Sequence, residues 1–506
     1  MSTSSSDFSS MLARPAAAMA ILVAGVGLAY GVCFSIEIIP FALGLACFVL
    51  LVALSRLRTA NLLIAYIVAD HLCQFLKRAI FLLGNQPVEV YYYFQLLPTM
   101  VLALAVISSL YTMRKMRFPL SAKLLGVYLA VALAETLFTP SGTPLFNRFA
   151  GTNQQIVPLF AAFAGMTLPP DQWRRVAKVF LVLIVISSIF GVYQFATGPT
   201  AVDQAWARQT GDYSIEGSKV LAYITGATDE FRVYSYYSDP ATWGFFLVMG
   251  VYFIAAVRKA EPVPKAWLQC AIVFAVIGLV TTESRGNFVA LLGALLIHRV
   301  LQLKALRRPM VVITGILVAF GLVLSVGQYA FDHWFPRLTN NALLNRYLTV
   351  GTIEARTSAP ELFLSILPTH LLLGDGFGSV GNGIKVSAEH YSHNAIVGLL
   401  VDIGLPGLVA FCIFFYAWLW ESLKVASLKR PDLALPQRWI VSACIGMTFT
   451  GALNGQLFLT SYFAIFMGIA LGQVMRWRQQ AEAERFVLAQ TLSPLRATRA
   501  PREVAV

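Results

Sequence analysis

The sequence contains little charge for its length. Only 12% of its 506 residues are Asp, Glu, Lys or Arg, whereas 58% are hydrophobic. A soluble globular protein carries about twice that charged fraction, which it needs to cover its surface. The deficit excludes an ordinary soluble enzyme and indicates a chain that faces lipid over much of its surface.

Cysteine is also scarce, and its placement excludes a disulfide framework. All six cysteines fall in or beside apolar runs, and no Cys-x-x-Cys pair occurs. We interpret them as small core hydrophobes. Neither of the two long loops holds carboxylates, Cys or His at metal-ligand spacing, so the sequence predicts no metal and no cofactor. The chain also lacks an internal repeat, which disfavours a transporter built from duplicated halves.

What the chain has in abundance is continuous apolar runs of the length that crosses the ~30 Å hydrocarbon core. Continuous rather than alternating runs favour helices over barrel strands. The sequence therefore predicts an all-α polytopic membrane protein with about 12–14 transmembrane helices and two large loops on the outer side. The candidate spans are 16–34, 39–55, 60–83, 91–113, 124–139, 150–168, 178–196, 240–257, 266–282, 287–303, 310–328, 394–420, 439–455 and 457–475. Those at 124–139 and 150–168 are weaker and fit either full spans or tilted, partly re-entrant segments.

The net charge of +13 is distributed in a membrane pattern. Lys and Arg concentrate in alternate short connections, as the positive-inside rule requires, and this disfavours nucleic-acid binding. Both termini are therefore expected in the cytoplasm. The predicted segments are a tail at 1–15, N-terminal helices at 16–196, a first outer loop at 197–239, central helices at 240–328, a second outer loop at 329–393, C-terminal helices at 394–475 and a cytoplasmic tail at 476–506.

The first outer loop ends in an aromatic stretch around one arginine. Arg232 is followed by Tyr234, Tyr236 and Tyr237, and then by Ser238-Asp239-Pro240. This spacing fits an interfacial aromatic belt with a snorkelling arginine. It equally fits a binding site in which the tyrosines order the arginine.

A short outer hairpin, Thr281-Thr282-Glu283-Ser284-Arg285-Gly286-Asn287, separates two apolar runs. Its charges would cost ~2.5–3.5 kcal/mol each at the bilayer centre and less near the surface. Charges kept in such a place usually face a polar cavity or each other. A simple surface turn that pairs Glu283 with Arg285 is the alternative.

The second outer loop contains Arg356 and then a glycine-rich stretch, Gly374 to Gly383, with a Gly-x-Gly-x-x-Gly pattern. A dinucleotide site would need a preceding strand, and none is predicted. We interpret the glycines as tight turns that fold the backbone over a ligand.

The same loop closes with His390 and with His393-Asn394, where a helix of about three turns is expected before Gly404 and Pro406 break it. A metal pair of the two histidines lacks further ligands. His393 fits either a structural histidine at a helix start or a catalytic base.

Ionisable residues also occur inside the third span, as Asp70-His71 and Lys77-Arg78. Such residues are functional candidates by default. Two interpretations stay open: packing against a lipid-linked substrate, or a buried pair that only holds helices together.

Taken in order, these motifs resemble the bacterial O-antigen ligase and O-antigen polymerase superfamily. The resemblance rests on Ser238-Asp239-Pro240, the Thr-x-Ser-Arg-Gly hairpin, Arg356 with the following Gly-x-Gly-x-Gly, and His393-Asn394 with Gly404 and Gly407; it covers roughly residues 200–420. It implies a bacterial inner-membrane enzyme with two large periplasmic loops. Such an enzyme transfers a glycan from undecaprenyl pyrophosphate to an acceptor hydroxyl without nucleotide or metal.

The resemblance also implies residue roles. Arg232 and Arg285 would hold the pyrophosphate with help from Arg356, because a metal-free site must neutralise the leaving group with protein cations. His393, beside Asn394, would take the proton from the acceptor. The tyrosines, Tyr234 and Tyr237 among them, could stack on sugar rings.

The acceptor is either a growing glycan or lipid A core. We favour a polymerase of exopolysaccharide or O-antigen repeat units, since no feature is tied to lipid A core; a ligase is the alternative within the family. A flippase of lipid-linked glycans is the rival from another class. The expected partners are the lipid-linked glycan, its acceptor, the bilayer and other polysaccharide-assembly proteins.

Overall fold

A computed structural model of the chain describes residues 58–83, 96–114, 116–139, 148, 151–152, 155–203, 233–237, 240–282, 285–303, 308–315, 318, 359–377, 395–454 and 461–497. Over these ranges the protein is predominantly helical, and they contain no β-strand. The helices are α1 Thr59–Leu83, α2 Leu96–Met113, α3 Leu120–Phe138, α4 Ala161–Thr167, α5 Pro170–Thr197, α6 Pro240–Ala260, α7 Lys265–Thr282, α8 Arg285–Gln302, α9 Ala359–Ile366, α10 Ala395–Ala426, α11 Pro431–Asn454 and α12 Ser461–Ala497. Two 3₁₀ turns, Val157–Phe160 and Leu367–Thr369, precede α4 and follow α9.

Six of the described helices are long and apolar enough to cross a membrane: α1, α3, α5, α6, α7 and α10. The prediction of an all-α polytopic membrane protein is therefore confirmed. The total number of spans and the two long loops stay predictions, because residues 1–57 and most of both loops lie outside the described residues.

The predicted span at 150–168 does not form one helix across the described part of that segment. A 3₁₀ turn containing Pro158 leads into α4, which has only seven residues. Such a helix rises about 10 Å, a third of the hydrocarbon core. The proline removes a backbone donor, so a continuous α-helix is interrupted there.

The short helix α4 packs closely against α12. A Cβ on Gly468 would lie 2.0 Å from the carbonyl oxygen of Ala162, and one on Gly165 would lie 2.4 Å from that of Ile465. Small residues let two helices approach to backbone contact, which increases the van der Waals packing that favours helix association in lipid. α12 then continues through the predicted 475/476 boundary to Ala497.

Helix α6 lies at the centre of the bundle, with 89% of its most apolar stretch buried. It packs against α5, α7, α8 and α11. Its neighbour α7 is only 33% buried by the same measure, and exposes a face of β-branched residues. That face suits lipid contact, so α6 forms the core and α7 the periphery.

Candidate functional site

The structure describes only some of the predicted site residues. Tyr234 and Tyr237 are described, and Arg285 is the first residue of α8, although its side chain is not described. Four predicted residues lie outside the described ranges, and their roles stay predictions: Arg232, Arg356, His393 and Asn394.

The segment 233–237, which directly follows Arg232, is held in an unusual backbone conformation. Ser235 has a φ of 54°, in the left-handed region that non-glycine residues rarely adopt. Its N–H donates to Oε1 of Gln194 at 2.8 Å, and its hydroxyl donates to the carbonyl oxygen of Ser187 at 2.7 Å. Two polar groups of α5 thus stabilise a conformation that costs about 1–3 kcal/mol by itself.

Arg78 of α1 holds the same segment from the other side. Its Nη1 donates to Oδ1 of Asp203 at 2.9 Å, and its Nη2 donates to the carbonyl oxygen of Ser235 at 3.3 Å. The guanidinium also lies 4.7 Å from the ring centroid of Tyr234. The Arg78 and Asp203 side chains are only 2% and 1% exposed. Removing one partner from so buried a pair typically costs about 3–5 kcal/mol.

The second oxygen of Asp203 is equally occupied. Oδ2 accepts hydrogen bonds from Nε2 of Gln194 at 3.0 Å, and from the N–H and hydroxyl of Thr200 at 3.1 and 2.7 Å. The carboxylate therefore orients Gln194 as well as Arg78. Asp203 connects every side chain that holds the peptide groups of Ser235.

His71, one of the open intramembrane residues, contacts the segment as well. Its Nδ1 lies 2.5 Å from the Tyr237 hydroxyl, which in turn lies 3.4 Å from that of Tyr462. The side chains of Tyr462 and Ser461 hydrogen-bond to Asp70. Burial raises the pKa of Tyr237 well above its usual value, so its hydroxyl keeps its proton. The structure thus links α1 and α12 through this tyrosine.

The tyrosines have protein partners on the faces that sugar rings were expected to occupy. Tyr234 and Tyr237 are each 2% exposed. Tyr236 is partly exposed and stacks on Phe190, with centroids 4.5 Å apart and planes 6° from parallel. This geometry favours a structural role for Tyr234 and Tyr237, and sugar contact by either one stays an untested prediction.

The first turns of α6 and α8 lie side by side. Nδ2 of Asn287 donates to the carbonyl oxygen of Ala241 at 3.2 Å, in space that Gly244 leaves open. Trp243 adds a bond from Nε1 to the Ser187 hydroxyl at 3.1 Å. Arg285 and the segment after Arg232 are therefore attached to the same end of the bundle, which we call the site end.

Residues 374–377, the described part of the glycine-rich segment, pack against a break in α10. Gly404 has φ 64° and ψ −178°, and Pro406 follows inside the helix, as the sequence predicted. Leu405 N–H donates to the carbonyl oxygen of His370 at 3.0 Å instead of continuing the helix. Because proline has no N–H, the carbonyl of Asp402 would lack its helical donor.

The backbone N–H groups of Asp375 and Gly376 supply the donors that α10 lacks at its break. Asp375 N–H donates to the Val401 carbonyl at 2.7 Å, and Gly376 N–H donates to the Asp402 carbonyl at 3.0 Å. A Cβ on Gly374 would lie 2.4 Å from the Asp402 carbonyl carbon. These glycines serve close contact with α10, and the predicted closure over a ligand stays untested.

Sequence reasoning missed three residues that build this site. Gln194 gave a detectable signal, since a polar amide inside an apolar span is uncommon. Asn287 is the last residue of the hairpin motif, but nothing in the sequence distinguished it from a turn residue. Asp203 gave no signal at all, because an isolated carboxylate in a loop is ordinary. Among the described residues, no group of three or more His, Cys, Asp and Glu could hold a metal ion.

Comparison with known proteins gives a family match. Residues 270–412 match the O-antigen ligase family, a range that runs from within α7 to within α10 and includes Arg285, Arg356 and His393. A comparison with curated proteins gives no significant match. The match supports the O-antigen ligase and polymerase superfamily.

Proposed function

We propose that this membrane protein, which carries an O-antigen ligase domain at residues 270–412, is a glycosyltransferase that uses lipid-linked glycans. The donor is a glycan on undecaprenyl pyrophosphate, and the acceptor is a hydroxyl on a second glycan. The reaction takes place at the periplasmic face of the bacterial inner membrane, with both termini in the cytoplasm. The preferred product is a longer exopolysaccharide or O-antigen chain.

One structural observation supports the proposal more than any other. Tyr237, in the segment after Arg232, packs against Phe246 of α6 with ring centroids 5.6 Å apart. Asn287, in the first turn of α8, donates a hydrogen bond to Ala241 of the same central helix. Two arginines presented from this end could approach one pyrophosphate. Their planar forks of donors match phosphate oxygens and stay charged at every physiological pH.

The proposed reaction is a displacement at the anomeric carbon of the donor sugar. His393 removes the acceptor hydroxyl proton while the acceptor oxygen bonds to that carbon. The bond from the carbon to the pyrophosphate oxygen breaks, and undecaprenyl pyrophosphate leaves with the electron pair. Arg232 and Arg285 stabilise the charge that develops there, and Arg356 assists. General-base catalysis of this kind contributes about 10²–10⁴-fold in rate.

The decisive experiment is turnover by purified protein supplied with an undecaprenyl-pyrophosphate oligosaccharide and no nucleotide. Lengthening of the glycan is the expected result. Transfer to added lipid A core instead would establish a ligase. If neither product forms, but the protein in vesicles moves the lipid-linked glycan across the bilayer, the flippase alternative replaces the proposal.

A histidine pair provides the matched test of the base. His393→Ala should abolish transfer while donor binding persists, because the arginines are intact. His390→Ala, three residues away, should be milder. Full transfer in His393→Ala together with loss in His390→Ala would show that His390, and not His393, is the base.

Ala variants test whether the arginines are needed, and Lys variants test whether a positive charge without the planar guanidinium is enough. Arg232→Ala and Arg285→Ala should each lower activity severely, and the Lys variants should recover only part of it, because lysine cannot bind phosphate through two parallel hydrogen bonds. Wild-type activity in both Ala variants, at normal protein levels, would refute the pyrophosphate role.

A further inference from the structure

We propose that Arg78 and Asp203 are positioning residues for the donor site, which act by fixing the backbone from which Arg232 extends. The inference rests on the proposed function, in which Arg232 binds the pyrophosphate. It assigns a role to an intramembrane arginine whose purpose the sequence left open, and to a carboxylate that the sequence did not single out.

The pair acts on a backbone position close to Arg232. Arg78 uses its two terminal nitrogens for different partners, Oδ1 of Asp203 and the carbonyl oxygen of Ser235. Ser235 lies three residues after Arg232, so at most about 10 Å of chain separates them. Fixing the Ser235 carbonyl therefore limits how far from this point the chain can place Arg232.

The Asp203 carboxylate also restrains the N–H group of Ser235, through Gln194. Asp203 accepts from Nε2 of Gln194, which leaves Oε1 of that amide to accept the N–H of Ser235. The N–H and the C=O of one residue are thus both bound through a single carboxylate. A shift of Asp203 would release both groups together.

The arrangement exceeds what holding helices together requires. Apolar residues of similar volume can often replace a buried ion pair without loss of stability. A guanidinium fork, in contrast, defines direction as well as distance. Here it is directed at a carbonyl in a non-helical segment with a positive φ, where apolar packing gives little directional control.

Arg78 is itself unsuited to substrate contact in this structure. Its side chain is 2% exposed, and its nitrogens bind Asp203, Ser235 and the carbonyl oxygen of Gln74. A role through other residues is the one that its geometry supports.

The test is a double-mutant cycle on the affinity for undecaprenyl pyrophosphate, measured by equilibrium titration of the purified full-length protein in detergent. Asp203→Asn keeps the shape of the side chain and removes its charge. We expect it to weaken binding about ten- to a hundredfold, the range that small misplacements of a binding group produce. In an Arg232→Ala background the same change should add nothing, because the group being positioned is gone.

Glu421→Gln is the matched control. Glu421 is a buried carboxylate that also pairs with an arginine, Arg478, but through helices at the other end of the bundle. It should lower thermal stability and leave the affinity unchanged. If Asp203→Asn folds poorly, Arg78→Lys replaces it, since lysine keeps the charge but cannot direct a planar fork at Asp203 and Ser235 together.

The outcomes separate the two levels of the proposal. Unchanged affinity in Asp203→Asn and Arg78→Lys, or losses that add fully to that of Arg232→Ala, would overturn the positioning role alone. Unchanged affinity in Arg232→Ala itself would remove the pyrophosphate role of that residue, and the positioning inference with it.

Discussion

Asn287 donates a hydrogen bond from Nδ2 to the carbonyl oxygen of Ala241 over 3.2 Å, and this contact joins the first turns of α8 and α6. The amide occupies the space beside Gly244, where a Cβ would lie 1.9 Å from its nitrogen. The starts of α6 and α8, which the proposed function needs side by side, are therefore joined by the Asn287 side chain. That side chain fits because Gly244 has no Cβ.

Gly244→Ala should displace Asn287 and separate the two helix starts. We expect a lower melting temperature in detergent and reduced glycan transfer. Gly293→Ala in α8 is the control, because a Cβ there meets nothing within 4 Å. It should leave stability unchanged or raise it, since alanine is favoured over glycine in a helix by about 0.5–1 kcal/mol. Equal melting temperatures for the two variants would contradict the packing seen at Gly244.

Gly404→Ala should destabilise the protein more than Gly198→Ala. Both glycines occupy a backbone region with φ near 70° and extended ψ, which costs other residues about 1–3 kcal/mol. A Cβ on Gly404 would also lie 2.8 Å from the Leu373 carbonyl carbon, whereas one on Gly198 meets nothing within 4 Å. The difference in melting temperature isolates the contact between α10 and the glycine-rich segment. A larger loss at Gly198 would show that the contact contributes little.

Glu421→Ala should lower stability and spare transfer by the folded protein. The carboxylate of this α10 residue accepts hydrogen bonds from the Leu120 and Ser121 N–H groups at the start of α3, and from Arg478 of α12. Loss of a helix N-terminal acceptor typically costs about 0.5–2 kcal/mol.

Arg430→Ala is the comparison for that network. Arg430 pairs with Asp432 and Glu484, but all three side chains are at least 43% exposed. Exposed ion pairs contribute little, so the melting temperature should hardly change. A comparable fall in both variants would mean that burial does not distinguish the two networks.

Chelators should leave glycan transfer unchanged. Neither long loop offers a ligand cluster in the sequence, and none occurs among the described residues. Transfer is measured with and without EDTA after passage of the protein over a chelating resin. Loss of activity that a single divalent ion restores would replace the arginine-based neutralisation with a metal site.

Structural properties that depend on residues adjacent along the chain could be predicted from the sequence. Apolar length predicted the helices that became α1, α6 and α7 within a few residues, because crossing a bilayer is a requirement on one continuous segment. Gly404 and Pro406 predicted the break in α10, because both act on the local backbone. The hairpin and histidine motifs indicated the family for the same reason, since each is a short run of the chain.

The pairing of distant groups was decided by tertiary structure. Arg78 and Asp203 are separated by 125 positions, and their contact exists only because α1 and the chain after α5 meet at the site end. The burial of Tyr234 and Tyr237 likewise depends on α1, which sequence spacing does not place beside them. Hydrophobic length selects what enters the membrane, but lipid is as apolar as the helices, so close packing and buried hydrogen bonds determine which helices become neighbours.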